Sequence, residues 1–353
     1  MSRLAKTRLS PAPLPSSLAR CLVALCALLA LIGVPRPARA DHPAVGFGSG
    51  IAGPIITIPA YTLPAGKWAA SARVEHISFR TFSDSELVRL AQNGIEAHST
   101  RNVTSPSLSV AYGVSRTFTA AARLPYVVRQ DIREGHLEGT TAVAHHHGDS
   151  RGFGDITLTG QFLVWDRERA KVAALTGVKA PTGRTHVADV EGERLETEHQ
   201  PGSGSFDFLE GISGSARVPF GSLDANLLLV LATHGAQEST LGNLLHYNVA
   251  VSTKVSGAHE HHHAPGTPPH RDPTVVGADL ILELNGESRA KERVGGITDP
   301  NSGGNLVYLS PGVRFGTGSW SASLSAGFPV VQNVNGTQHE TDWRLLGGLG
   351  MSF

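Results

Sequence analysis

Beyond its first 40 residues the sequence has no cysteine: its only two, Cys21 and Cys26, lie in that opening stretch. Disulfides and Cys-ligated metal centres are therefore excluded from Asp41 onward. Long hydrophobic runs are missing too. The main apolar stretch, Cys21–Val34, has 14 residues, short of the roughly 20 that cross a bilayer as a helix. Nothing after it approaches the roughly 18 consecutive apolar residues of a candidate helical span. Helical membrane spans are excluded, which leaves a soluble β protein or a β-barrel. The chain as a whole also lacks an excess of either charge, with 30 Lys and Arg against 30 Asp and Glu.

The charges are unevenly placed. Residues 1–40 contain no acid, a basic front of Arg3, Lys6, Arg8 and Arg20, the apolar stretch, and then Pro-Arg-Pro-Ala-Arg-Ala, with Ala38 and Ala40 as a small-x-small cleavage pattern. This reads as a cleaved secretory signal peptide, with the mature chain starting at Asp41. Lipoprotein processing at Cys26 is disfavoured, because Leu25 stands where a small residue is expected. Cleavage removes six basic residues and leaves 24 Lys and Arg against 30 Asp and Glu, a formal charge of −6. A net negative chain argues against nucleic acid as a partner. The expected organisation is a signal peptide over 1–40, a Gly/Pro-rich segment over 41–66, and a barrel over 67–353.

The barrel expectation rests on period-two alternation. Trp68, Ala70, Ala72 and Val74 alternate with Ala69, Ser71, Arg73 and Glu75; Leu245, Tyr247, Val249 and Val251 alternate with His246, Asn248, Ala250 and Ser252. The pattern predicts strands near 67–80, 101–113, 117–130, 152–164, 170–181, 204–218, 223–236, 241–255, 274–287, 304–316, 320–333 and 340–353. The predicted fold is all-β, a transmembrane antiparallel β-barrel of about 12 strands, the even number of a bacterial barrel. Short turns such as 113–116 and 166–169 alternate with polar loops over 81–100, 131–151, 182–203 and 288–303, as periplasmic turns and external loops do. Two links break this order. Residues 237–240 are short for an external loop and 257–273 long for a periplasmic turn, so either one turn is enlarged or the strand count fails there.

The last strand favours the membrane. Trp343, Leu345, Gly347, Leu349, Met351 and Phe353 fall on one face. An alternating apolar strand closing on Phe353 resembles the signal read by the barrel-insertion machinery of the Gram-negative outer membrane, which makes Trp343, Leu349, Met351 and Phe353 the candidate assembly signal. Three further stretches carry a family resemblance: Arg151-Gly-Phe-Gly-Asp-Ile156, Val178-Lys-Ala-Pro-Thr-Gly183, and residues 308–353 with Ser310-Pro-Gly312, Gly327-Phe-Pro329 and Asn335-Gly336. Together they resemble an outer-membrane transporter family named for the meta-pathway of phenol degradation. The resemblance implies proximity to aromatic catabolism. His-rich segments set this chain apart from the usual family pattern.

Side chains alternating with the lipid face should line the lumen. They include Arg73, Glu75, Arg123, Arg129, Asp155, Gln161, Lys171, Lys179, Asp207, Asp224, Asn226, Asp279, Glu283, Asn285, Arg314 and Arg344. Of these, Arg73, Glu75, Arg123, Asp155, Lys179, Asp279, Glu283, Arg314 and Arg344 are the candidate solute pathway. Twelve strands permit either a narrow conduit or an interior filled by side chains. Asp41–Gly66, rich in glycine and proline around Ile55-Ile-Thr-Ile58, is no regular helix. It is expected to fold into the lumen as a plug, which would keep its isoleucines out of water.

His145, His146 and His147 are expected in an external loop, and His259, His261, His262 and His263 in a periplasmic link. Converging imidazoles would bind Zn, Cu or Ni, but the spacing is low-complexity and matches no defined ligand pattern, which favours a solvated polar loop. No cofactor is required. The expected function is passive passage of a small solute, aromatic or amphipathic, with outer-membrane lipid and the insertion machinery as partners. The alternatives are a metal-binding or structural barrel, or an outer-membrane lipid hydrolase. The last lacks support, because the sequence holds neither a His-x-Ser-Asn-Gly run nor a Gly-x-Ser-x-Gly elbow.

Overall fold

A computed structural model describes residues 53–256, 276–317 and 319–353. The expected signal peptide, residues 41–52, and His259, His261, His262 and His263 lie outside the described residues.

Twelve antiparallel staves close into a barrel. In chain order the strands are β1 (Trp68–Arg80), β2 (Ala97–Ser99), β3 (Asn102–Gly113), β4 (Phe118–Glu138), β5 (Thr141–Phe153), β6 (Ile156–Arg167), β7 (Ala170–Ala180), β8 (Asp207–Val218) and β9 (Gly221–Leu231). They continue with β10 (Ser239–Thr240), β11 (Leu244–Ser256), β12 (Gly277–Arg289), β13 (Arg293–Val294), β14 (Ile297–Thr298), β15 (Gly304–Gly316), β16 (Trp320–Val334) and β17 (Glu340–Ser352). β5 and β6 are successive pieces of one stave, both paired with β4. The order around the wall is β1-β3-β4-β6-β7-β8-β9-β11-β12-β15-β16-β17, and β17 returns to β1. At the seam Trp68 N donates to Phe353 O at 2.9 Å and Phe353 N to Trp68 O at 3.0 Å. Closure satisfies the wall's backbone groups internally, the condition for crossing hydrocarbon.

The wall is inverted relative to a soluble protein. Leu108 is 64% exposed on its outer surface, whereas Glu283 is 1% exposed inside. Val74, Leu158, Ile212, Leu227, Leu282 and Leu324 also face outward, while Glu75, Gln161, Ser213, Asn226 and Asn285 face inward. A solvent-exposed belt of this size would be an aggregation surface in water. In lipid it is the expected face of a membrane barrel.

Strand parity holds where the sequence left it open. β9 ends at Leu231 and β11 begins at Leu244, so the link between them is longer than the pattern suggested. Ser256 pairs with Ala278, which puts the ends joined by 257–276 at the short-turn rim. Other expectations are corrected. The 131–151 loop is a hairpin: β4 and β5 run on to a turn at Gly139-Thr140, with Gly139 at φ +62°. Its hydropathy hides the strands because a hairpin projecting into water needs no apolar face. The 81–100 loop contains helix α1 (Asp84–Gln92), opened by a capping box between Ser83 and Glu86 and burying Leu87 and Ala91. His145, His146 and His147 accordingly sit on β5, not in a loop.

Residues 53–66 cross the short-turn half of the lumen. Ile55 and Ile56 pack with Ile281 and Leu346, and Ile58 with Leu175, Leu209, Leu228, Val230 and Leu244. Each such isoleucine contributes roughly 1.5–3 kcal/mol when fully buried.

Candidate solute pathway

The crossing segment is held by lumen side chains, mostly through its backbone. Glu283 accepts from Ile55 N at 3.0 Å, Ile56 N at 3.0 Å and Thr57 N at 3.2 Å. Asn226 accepts from Ile58 N at 2.9 Å and Ser215 from Ala60 N at 2.8 Å. Gln161 donates to Pro59 O at 2.6 Å, and Thr119 accepts from Leu63 N at 2.8 Å. Arg314 donates to Gly53 O, and its Nη2 to Pro54 O at 2.8 Å. β15, β12, β9, β8, β6 and β4 thus take hold of the segment in turn. A proline-bearing stretch without its own ladder has its polar groups met by the wall, as buried backbone requires.

Beyond this segment lies a layer of charge. Arg344 Nη1 is 3.0 Å from Glu287 Oε1 and 3.7 Å from Glu75 Oε1, and its guanidinium sits 3.8 Å from the Tyr308 ring centroid. A planar, donor-rich cation between carboxylates and an aromatic face suits a buried position better than a lysine would. Arg73 is on the same inner face of β1 as Glu75, and Asp279 is the cross-strand partner of Arg314.

Asp155 has a different setting. Its carboxylate accepts from Gly183 N at 2.9 Å, Ser203 N at 2.8 Å and Ser203 Oγ at 2.7 Å. It thereby ties the Gly-Phe-Gly-Asp and Pro-Thr-Gly motifs together at the β5–β6 break. Lys179 Nζ reaches Asp207 at 2.5 Å and Asp155 at 3.6 Å. Gly183 and Gly202 approach so closely here that a Cβ on either would stand 2.7 Å or less from the other's backbone.

Two cavities lie along the lumen and its mouth. One of about 480 Å³ opens at the long-loop rim, lined by residues that include His98, Glu196, Glu198, Leu241, Arg289 and His339. A second, of about 140 Å³, lies among Arg123, Arg129, Asp155, Lys179, Asp207, Leu244 and again Leu241 and Arg289. Leu241 and Arg289 are common to both, and Arg289 Nη1 donates to Leu241 O at 2.9 Å. Four basic side chains, Arg123, Arg129, Lys179 and Arg289, face two acidic ones in the inner cavity. Sequence reading did not single out Arg289, because the predicted strand stopped at 287. The alternation from Glu283 through Glu287 would have reached it.

Period two divides the three β5 histidines. His146 Nε2 faces Asp84 at 3.2 Å, while His147 bridges Glu134 at 3.0 Å and Asp189 at 3.1 Å. His145 stands beside His147, with ring centroids 4.6 Å apart. A second histidine pair, unnoticed in the sequence, is His98 and His199. Burial works against the His98 charge, but the carboxylates of Glu198, Glu196 and Glu134 outweigh it and raise its pKa to about 10. Burial instead holds His199 down at about 3.

A closed twelve-stranded wall, apolar outside and polar within, defines a β-barrel of the bacterial outer-membrane type. Residues 95–328 match the family described as "Putative MetA-pathway of phenol degradation", and the chain belongs to that family. Among solved structures it is similar to an outer membrane channel from Pseudomonas putida F1, with 13% identity, 83% of this chain and 98% of that one covered, and a TM-score of 0.54. Fainter likenesses are the NanC porin (6% identity, coverage 80% and 98%, TM-score 0.41) and a Pseudomonas aeruginosa FadL homologue (9%, 90% and 98%, 0.37). The Pseudomonas putida structure supports the fold alone. Comparison with curated protein sequences gives no match.

Proposed function

We propose that the protein is a passive outer-membrane channel for small solutes. Solute enters at the long-loop rim, reaches the inner cavity when the Arg289–Leu241 hydrogen bond opens, and leaves when residues 53–66 swing aside as a plug. The observation that carries this reading is that the two cavities share Leu241 and Arg289 in their lining, while Ile58 of the crossing segment packs with Val230 and Leu244, which line the inner one. The basic excess of the inner cavity favours solutes bearing a negative group, since lumen charge tunes selectivity. The family's name directs the choice toward small aromatic compounds, and an aromatic carboxylate combines both features. The long loops face outward and the short turns the periplasm. Trp343, Leu349, Met351 and Phe353 line the lipid face of the closing strand and serve insertion by the barrel machinery. No catalytic role is assigned.

Planar-bilayer recording tests the reading. Full-length protein should be nearly silent, and a chain lacking residues 41–63 should conduct with anion preference. Silence from both, with barrels folded by heat-modifiable gel mobility, would replace the channel reading with a structural barrel.

A further inference from the structure

His98 lies on β2, which pairs with the projecting end of β4, Ala97 opposite Gly135 and Ser99 opposite Arg133. Glu196, Glu198 and His199 come from the link between β7 and β8, around the 3-10 turn Thr197–His199. Their donor atoms nonetheless converge. His98 Nδ1 is 2.6 Å from Glu198 Oε1, 3.2 Å from His199 Nε2 and 3.7 Å from Glu196 Oε2. His199 Nε2 is 3.3 Å from Glu198 Oε1. All four donor atoms lie within 4.8 Å of one another.

These separations are those of a coordination polyhedron. A tetrahedral Zn²⁺ with nitrogen and oxygen ligands at about 2.0–2.1 Å has ligand–ligand edges of roughly 3.3 Å. His98 Nδ1 carries at most one proton, which Glu198 Oε1 accepts at 2.6 Å, so its 3.2 Å approach to His199 Nε2 leaves two ring nitrogens competing for one carboxylate oxygen. A cation between them and two carboxylates satisfies all four. We propose that His98, Glu196, Glu198 and His199 form a Zn²⁺ site at the long-loop rim.

The donor set narrows the choice of ion. Two imidazoles disfavour the all-oxygen preferences of Ca²⁺ and Mg²⁺, and the absence of sulfur ligands among the four disfavours Cu(I). Behind the site, Glu134 Oε1 stands 4.0 Å from His98 Nε2, on the side of the ring away from the proposed ion. At that distance it makes no hydrogen bond to the ring but places a negative charge behind it. His199 is buried, and its remaining nitrogen, Nδ1, has no hydrogen-bond partner among the described residues. The ion joins β2 to the β7–β8 link, and His98, Glu196 and Glu198 line the outer cavity. Binding therefore stiffens one side of the channel mouth, and it does so whether or not the lumen conducts.

The test uses the full chain in detergent, stripped with chelator and dialysed against Zn²⁺ or Co²⁺. The proposal expects about one Zn²⁺ retained per chain and a Co²⁺ spectrum of tetrahedral intensity. His98→Ala, His199→Ala and Glu198→Gln should each weaken retention by at least about a hundredfold, the upper end of an outer-shell change. Heat-modifiable mobility identifies variants whose barrel still folds, and Glu198→Gln, the least disruptive, decides if the histidine variants do not. Replacing His259, His261, His262 and His263 together by Gln should leave this equivalent and the Co²⁺ spectrum in place. Three outcomes overturn the proposal: no retained metal in the wild type, an octahedral Co²⁺ spectrum, or retention lost with the four-histidine variant but kept by folded His98, His199 and Glu198 variants.

Discussion

Glu283 is where the plug reading is most exposed to test. Its carboxylate accepts from the backbone of Ile55, Ile56 and Thr57 at 3.0–3.2 Å. Hydrogen bonds to a charged group contribute about 1.5–3 kcal/mol each. Three such bonds sum to roughly 4.5–9 kcal/mol, but the released amides regain water, so the loss in Glu283→Ala is set below that range, at about 3 kcal/mol in total. Isoleucine packing at Ile55, Ile56 and Ile58 remains in the variant, so the plug is weakened without being removed. At 1.4 kcal/mol per tenfold, the unplugged population should rise about a hundredfold. Glu283→Gln keeps an acceptor oxygen but loses the charge, and about tenfold is expected. The assay is open probability in planar bilayers, with the chain lacking 41–63 as the fully open reference. If Glu283→Ala is as quiet as the wild type while the deletion conducts, the segment is not anchored where these bonds place it.

Two further outcomes are expected. Arg289→Glu places a carboxylate where the two cavities meet and leaves the acceptor Leu241 O without its donor; in the chain lacking 41–63, reversal potentials in a salt gradient should move toward cation preference, and an unchanged potential would remove Arg289 from the pathway. Loss of Phe353 removes both seam bonds to Trp68 and the last outward aromatic, so folded barrel recovered from outer membranes should fall several-fold relative to a deletion within the Gly139 turn; equal recovery would end the terminal-signal argument.

The sequence by itself determined the wall. A strand's side chains alternate with a period of two, so each stave reports its inner and outer faces locally. Twelve such segments were legible from Trp68 to Phe353, as was the inward placement of Glu75, Glu283, Arg314 and Arg344. Hydropathy went blind beyond the membrane belt, where a strand needs no continuous apolar face, and that is why the β4–β5 projection and α1 were read as loops, although Ser83 and Glu86 already spelled a capping box. Only the tertiary structure decided which inward groups meet. Glu283 grips a segment 226 to 228 residues away in sequence, and Arg344 finds Glu287 rather than a neighbour on its own strand. His146 was parted from His145 and His147 by the pleat, whereas His98 and His199, with no local pattern to connect them, were brought to 3.2 Å where β2 and the β7–β8 link meet at the rim. Periodicity is a property of one strand; convergence across a lumen or a rim depends on register and closure, which no single strand encodes.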